Sequence, residues 1–431
     1  MSWQKVKLGE LIDNFSVRAK DIGGAKNLEF YGVSNEVGIT ASKYSAEDKA
    51  EDYKIIEKGC FAYNPYRVNV GSIGLFKSET KGLISPAYVV FKPRPNAIKA
   101  ELLLRFLKSA EGLRQVKLYA RGTVRQALRF EDLCNIELSI PHYDEQEEIE
   151  VNLQNLFART QAISIEQETQ LAYLRHLRQQ ILSDAIQGKL DLPHTDGESG
   201  EDLLARIKAE KAKTTKKEKT LPEIKADDIP FDIPEHWVWC RLGEICRVKV
   251  GATPSRSEPK YWKGDIPWVA SGEVANNYIS DTKEKISQEG FNSTSLTMYP
   301  KGSVLVAMIG QGKTRGQTAV LKIDATTNQN VAGLVIEHKY LLSEYLWYFF
   351  LSRYETTRSG ASGGNQPALN GIKISNTLFP LPPMSEQIEL VRKMDNLMAL
   401  CDELEASIRQ NQEYTQMLYQ TTLREALQKP A

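Results

Sequence analysis

Ile140-Pro141-His142-Tyr143-Asp144-Glu145-Gln146 returns 241 residues later as Leu381-Pro382-Pro383-Met384-Ser385-Glu386-Gln387. After each stretch glycine and proline vanish for some forty residues, which predicts a long helix opened by a proline turn. The same offset holds without a gap from these turns to Leu182-Ser183-Asp184-Ala185-Ile186-Gln187 against Leu423-Arg424-Glu425-Ala426-Leu427-Gln428. Upstream, Trp3 and Val6-Lys7-Leu8-Gly9-Glu10 are answered by Trp237 and Cys240-Arg241-Leu242-Gly243-Glu244, at an offset of 234. A period above two hundred residues is a duplicated module and no solenoid.

Within the first helix Ile149, Leu153, Leu156, Thr160, Ile163, Gln167, Gln170, Leu174, Leu177, Ile181 and Asp184 alternate four-three spacing. Their counterparts are Leu390, Met394, Leu397, Cys401, Leu404, Ile408, Asn411, Thr415, Leu418, Thr422 and Glu425. This is a heptad seam too polar to stand alone, so the two helices are expected to pack on each other, antiparallel because a two-fold relates the halves. Amides at matching places, Gln170 and Asn411, would fix the register if buried. A helix of that size spans about 60 Å at 1.5 Å per residue, long enough to act as a rigid spacer.

Ahead of each helix lie short β-type runs punctuated by Gly, Pro and Asn, such as Gly59–Tyr63, Ala87–Phe91, Ser303–Ile309 and Gly333–Ile336. One amphipathic helix interrupts each set, Glu101–Leu107 and Glu344–Phe350. The expected fold class is α/β (α+β), with two pseudo-two-fold-related domains joined by two long antiparallel coiled-coil helices. The boundaries read as a first domain over 1–143, a helix over 144–190, a linker over 191–232, a second domain over 233–383 and a helix over 384–431. Gly188 suits the end of the first helix. The linker opens on the turn-rich His194-Thr195-Asp196-Gly197, carries a helix from Glu201 to Lys213, and then runs polar through Lys216-Lys217-Glu218-Lys219, which reads as a solvated tether.

Composition narrows the function. The chain has 431 residues, 41% hydrophobic and 26% charged, room for two cored domains. No apolar run is long enough to span a bilayer and no targeting peptide opens the chain, so no membrane partner is expected. The five cysteines, Cys60, Cys134, Cys240, Cys246 and Cys401, form no CxxC pair, which fits a reducing cytoplasm and no disulfides or zinc. The five histidines show no HExxH, so no metal is expected. Fifty-five basic residues balance fifty-five acidic ones, which argues against a lone non-specific DNA binder but not against a subunit that reads bases while partners hold phosphates.

Two segments imitate catalytic motifs. Ala307-Met308-Ile309-Gly310-Gln311-Gly312-Lys313-Thr314 fits a relaxed phosphate-binding loop, yet Arg315-Gly316-Gln317-Thr318-Ala319-Val320-Leu321 reads as turn then strand, where an anion site needs a helix start. Asn64-Pro65-Tyr66 resembles the adenine-gripping loop of amino-methyltransferases but is one proline short, with no glycine-rich cofactor loop beside it. The chain is therefore expected to be no enzyme, with no catalytic, cofactor-binding or metal-binding residues of its own.

Loops at equivalent places are rich in groups that read DNA. In the first half they hold Tyr63, Asn64, Tyr66, Arg67, Asn69 and Ser72, then Arg121, Thr123, Arg125 and Gln126. In the second half they hold Gln311, Lys313, Thr314, Arg315 and Gln317, then Asn365 and Gln366. Arg and Lys suit guanine, Asn and Gln suit adenine, Ser and Thr adapt to either, and intervening glycines let backbone approach phosphate. A two-fold object also matches the approximate two-fold geometry of duplex DNA. The two loop sets differ while the flanking anchors agree, so the halves would read different words of an asymmetric, bipartite target. The competing expectation is a duplicated coiled-coil protein-interaction scaffold without base readout; a third, a nucleotide-dependent enzyme, would rest on Lys313.

The chain resembles the specificity subunit of type I restriction-modification systems over nearly its whole length. The segments that carry the resemblance are Leu174 to Leu190, Asp202 to Lys211, Ile229-Pro230-Phe231-Asp232-Ile233-Pro234-Glu235-His236-Trp237 leading into Leu242-Gly243-Glu244-Ile245, and the twice-used Pro-x-x-x-Glu-Gln helix start. The resemblance implies two target-recognition domains on paired helices, double-stranded DNA as ligand, and a place in phage defence. It also implies two modification (methyltransferase) subunits that bind S-adenosylmethionine and methylate a flipped adenine, and restriction/translocase subunits that use ATP and Mg, so that cofactors belong to partners. Helix faces bearing Leu171 and Tyr173, or Tyr414 and Met417, are the expected partner surfaces.

Overall fold

The protein is described here by a computed structural model covering residues 3–23, 28–42, 47–122, 126–192, 197–214, 221–310, 313–359 and 369–427. The chain packs as two compact units, one of residues 1–170 with 407–431 and the other of residues 171–406. These units cut through both long helices, because each half-helix buries its apolar side against its own domain.

In the first unit a four-stranded sheet runs Ile12–Asn14, Val89–Pro93, Phe61–Tyr63, Ile73–Leu75, all pairs antiparallel. A second sheet runs Gly38–Ala41, Glu29–Ser34, Gly82–Ile84, Lys54–Ile56, with one parallel pair at its centre. Gln4–Lys7 pairs antiparallel with Glu137–Ile140 and closes the domain at the foot of the long helix. Helices Ala100–Lys108 and Ala110–Tyr119 cover the first sheet and bury Leu102, Leu103, Phe106, Leu107 and Val116 in a core with Phe61, Tyr63 and Phe91. Ser109 separates the two helices and caps the second through Gly112 N.

The second unit repeats this plan. Arg247–Val250, Val331–Val335, Val304–Ala307 and Thr318–Leu321 form the first sheet, and Asn277–Ile279 adds a fifth strand parallel to the last. Glu284–Ile286, Ile266–Val269 and Thr326–Thr327 form the second sheet, with the same parallel pair. Val238–Arg241 pairs with Leu378–Leu381 as the closing ribbon, and the helix Ser343–Ser359 covers the sheet. The linker is more than a tether. Its helix, Gly200–Thr214, sinks Leu203 and Ile207 wholly into this unit's core, and Arg241 grips the segment after it through Pro222 O, Glu223 O and Asp228.

The long helices span Gln146–Ile186 and Met384–Ala426. Their first glutamine explains the repeated Glu-Gln motif. Gln146, fully buried, accepts from Lys99 N at 2.8 Å and donates to Ala97 O and Pro141 O. Gln387, equally buried, accepts from Leu342 N at 3.0 Å and donates to Tyr340 O and Pro382 O. Each staples its helix start to the loop before the covering helix.

The pairing is antiparallel in each unit. In the first, Ile149 and Leu153 share a core with Leu423 and Leu427, the rings of Phe157 and Tyr419 lie 6.0 Å apart, and Gln167 Nε2 donates to Thr415 at 3.4 Å. In the second, Arg178 meets Asp402 and Glu405 at 2.6 and 3.3 Å, and Leu182 and Ala185 share a core with Leu390 and Met394. One row of the expected seam stands: Thr160, Gln167, Leu174 and Ile181, with Cys401, Ile408, Thr415 and Thr422, are buried or half-buried. The other row holds near the helix starts, at Ile149, Leu156, Leu390 and Leu397, and is displaced by one residue further along. Ser164, Leu171 and Arg178 turn inward while Ile163, Gln170 and Leu177 are exposed; likewise Glu405, Gln412 and Tyr419 replace Leu404, Asn411 and Leu418. Adjacent helix positions are about 100° apart, so four-three spacing fits on either side of the fixed row. Gln170 consequently bonds Glu166 of its own helix, and the buried amide is Gln167. Leu171 is likewise a packed residue, whereas Tyr173, Tyr414 and Met417 stay exposed. No helix among the described residues is long and apolar enough to cross a membrane.

Candidate nucleic-acid interface

The first sheet of each unit holds a hairpin whose loop carries the donor-rich sequence. In the first unit this loop joins Phe61–Tyr63 to Ile73–Leu75. Asn64 shapes it: its Oδ1 accepts from Tyr66 N at 3.0 Å, and its backbone oxygen accepts from Arg67 N and Val68 N. A short turn, Val68–Val70, ends on Gly71, whose φ of 87° favours glycine. Tyr66 and Arg67 are thereby held outward and Asn69 half-outward.

Two expected contacts are corrected. Tyr63 is fully buried, its hydroxyl donating to Leu128 O at 3.2 Å, and burial pushes that phenol far above its usual range. Ser72 is buried too, its hydroxyl facing Val33 O at 3.5 Å. Both lie in or beside β-strands whose two faces are covered, so they support the loop and do not face solvent.

The second loop of this unit is closed by paired backbone bonds between Arg121 and Ala127 and tied to the first by Leu128 N donating to Pro65 O at 3.1 Å. Arg121 reaches Asp132 at 2.8 Å, yet its side chain stays 79% exposed while the aspartate is buried. The ion pair orients the guanidinium and leaves most of it facing solvent. Gln126 is exposed; Thr123 and Arg125 lie outside the described residues.

In the second unit the corresponding loop joins Val304–Ala307 to Thr318–Leu321. Gly316 turns the chain with φ of 83°, its amide donating to Ala307 O, and Gln317 N returns to Thr314 O. No helix starts at Lys313: residues 313–316 form turns and the strand follows at Thr318, so the glycine-rich stretch lacks the helix start of a phosphate cradle. Tyr354 donates to Lys313 O at 2.6 Å and Arg315 reaches Thr357 O at 3.4 Å, which pins the loop to the end of the covering helix. Lys313 is exposed, while Thr314, Arg315 and Gln317 are half-buried. Gln311, Asn365 and Gln366 lie outside the described residues.

Both hairpin loops therefore arise at the same topological position, after the third strand of the first sheet. Sequence reading missed two neighbours. The turn Asn35-Glu36-Val37 abuts the first unit's loop, since a Cβ added to Gly71 would meet Asn35 Oδ1 at 2.7 Å. In the second unit Thr253 bonds Gln329 on the turn beside Met308, whose amide donates to Asn330 O. Neither adjacency has a local signal, because strand order across a sheet creates it.

A family model described as the type I restriction modification DNA specificity domain matches residues 1–172 and 234–413. The chain is 29% identical over 264 residues to the type I restriction enzyme EcoAI specificity subunit of Escherichia coli, covering 58% of this chain and 44% of that protein. It is 32% identical over 189 residues to the MjaIX specificity subunit of Methanocaldococcus jannaschii, 42% of this chain and 41% of the relative. The matched segments thus span less than half the length of these two relatives. A solved chain from work on complex assembly and conformational transition of the type I R-M system superimposes with a TM-score of 0.74 at 18% identity, over 98% of this chain and 97% of that chain, which shows a shared fold. The family match takes in both hairpin loops and most of both long helices, and this chain accordingly belongs to the type I restriction modification DNA specificity domain family.

Proposed function

We propose that the chain is the sequence-specific DNA-recognition subunit of a type I restriction-modification complex, reading an asymmetric bipartite target with one domain per half-site. The observation that carries this reading is the pair of equivalent loop sites on two matching frames with different residues: Tyr66, Arg67 and Asn69 beside Arg121 and Gln126 in one, Lys313, Thr314, Arg315 and Gln317 in the other. Shared frames with unlike donors suit two words of one target. The subunit is non-catalytic and cytoplasmic in this reading. Two modification subunits supply S-adenosylmethionine chemistry on a flipped adenine, and restriction/translocase subunits supply ATP and Mg.

The test is a methylome of cells expressing this chain with its modification subunit, with and without this gene. N6-methyladenine at one bipartite asymmetric motif, lost with the gene, is expected. An assembled, active complex whose methylation ignores this gene would instead favour the duplicated protein-interaction scaffold.

A further inference from the structure

We propose that Val37, or Val70 on the adjoining loop, reads the 5-methyl group of a thymine, so that one A·T pair in the half-site of the first unit is sensed through that methyl. The inference rests on the DNA-reading role argued above and names a contact within it.

Val37 is 72% exposed and Val70 is 55% exposed. A single exposed valine needs no explanation. The turn and the loop that carry these two are brought together by packing that leaves little freedom. Val37 ends a three-residue return between Glu29–Ser34 and Gly38–Ala41, its amide donating to Ser34 Oγ at 3.1 Å. Gly38 completes the turn with φ of 78°. The hairpin is pressed onto the strand that follows the reading loop: a Cβ on Gly74 would sit 2.6 Å from Ile39 N. At the tip, Asn35 meets Gly71, the residue after Val70. A turn and a loop packed on each other thus each expose one aliphatic side chain, Val37 on the turn and Val70 on the loop that also carries Tyr66, Arg67 and Asn69.

The chemistry selects the occupant. In the major groove thymine differs from the other bases by its methyl group, which apolar side chains recognise, while arginine and asparagine beside it take guanine and adenine edges. The equivalent loop of the second unit also exposes an aliphatic side chain, Ile309 at 48%.

The experiment uses the assembled complex of this chain with its modification subunits and a duplex bearing the mapped motif. Each thymine of the half-site is replaced in turn by deoxyuridine, which removes only the methyl. At one position the wild-type complex should lose roughly fourfold in affinity, the worth of one buried methyl group. V37A should lose a similar factor on ordinary DNA and then ignore the deoxyuridine change, with V70A as the second variant. Folding of both is checked by thermal melting. Full deoxyuridine sensitivity in V37A and V70A, equal loss on all DNA, or no thymine in that half-site whose replacement by deoxyuridine weakens the wild-type complex would overturn the inference while leaving recognition intact. Loss of all sequence preference by the wild-type complex would instead overturn the DNA-reading role.

Discussion

Gln387→Met keeps side-chain volume and removes every hydrogen bond of the second staple. Leu342 N loses its acceptor, and Tyr340 O and Pro382 O lose their donor, bonds of 3.0, 3.2 and 3.1 Å. A buried backbone group left unpaired costs about 1–3 kcal/mol. Leu342 and Tyr340 are half-buried and water can partly serve them, so the three together should cost about 3–5 kcal/mol and not the full sum. Gln146→Met should cost somewhat less, about 2–4 kcal/mol, since its bond to Ala97 O is already 3.4 Å long. Urea unfolding read through the midpoint at constant slope measures both. Because the chain forms two compact units, hydrogen exchange should localise each loss: the Leu342 amide for one variant, the Lys99 amide for the other. Gln170→Met, on an exposed face, is the control and should stay within about 0.5 kcal/mol. A loss below about 1 kcal/mol for Gln387→Met would refute the staple.

Arg67→Ala should weaken binding of the complex to its mapped motif by about 1–3 kcal/mol and relax preference at one base pair, as loss of a bidentate guanine contact does; unchanged affinity and preference would remove Arg67 from the reading set. Stability should fall on acidification partly through His338. Its Nε2 faces Ile245 O at 2.6 Å and its Nδ1 faces Tyr340 N at 3.3 Å, an arrangement that needs the neutral ring, and burial lowers its pKa below the usual 6.5. The unfolded chain then binds the proton first, so this contribution is whole above about pH 6.5 and is lost as pH falls towards the folded pKa. The melting-temperature gap between wild type and His338→Gln should narrow from pH 7.5 to 5.5; a constant gap would sink the assignment. Deleting seven residues from each long helix preserves the seam period and removes about 10 Å, the rise of roughly three base pairs. A methylation motif whose spacer shortens accordingly, or is abolished, is expected, and an unaltered spacer would show that the helices are not the ruler.

What the sequence made legible depended on how local its cause was. The proline turns at Pro141 and Pro383 and the long runs without glycine or proline are local, and the helices follow them closely. The seam phase is not local. Ile163, Leu177, Leu404 and Leu418 are apolar and fit the spacing, yet they are exposed, while Ser164, Arg178, Glu405 and Gln412 turn inward. Tyr63 and Ser72 failed for a related reason: a loop's outer residues can be read from composition, but its first and last side chains belong to strands covered on both faces. The linker helix was placed correctly as a helix, whereas its burial depended on a core assembled from residues far along the chain.

The two halves also show why duplication and recognition coexist. Gln146 and Gln387 perform one task with one set of partners, and the paired ribbons Gln4–Lys7 and Val238–Arg241 close both domains alike. Those positions are constrained by bonds within the frame, so either half tolerates little change there. The hairpin loops are constrained mainly by backbone bonds: Asn64 O and Gly71 in one, Ala307 O and Gly316 in the other. Side chains between such anchors are free to differ without disturbing the sheet beneath. Tyr66, Arg67 and Asn69 in one loop and Lys313 and Thr314 in the other can therefore diverge into different reading surfaces while the frame stays fixed. The second unit goes further, inserting Asn277–Ile279 as an added edge strand, where Asn276 accepts from Thr318 N at 3.0 Å. That insertion buttresses the base of its loop from the side that the turn at Asn35 occupies in the first unit, so the two surfaces differ in their supports as well as in their tips.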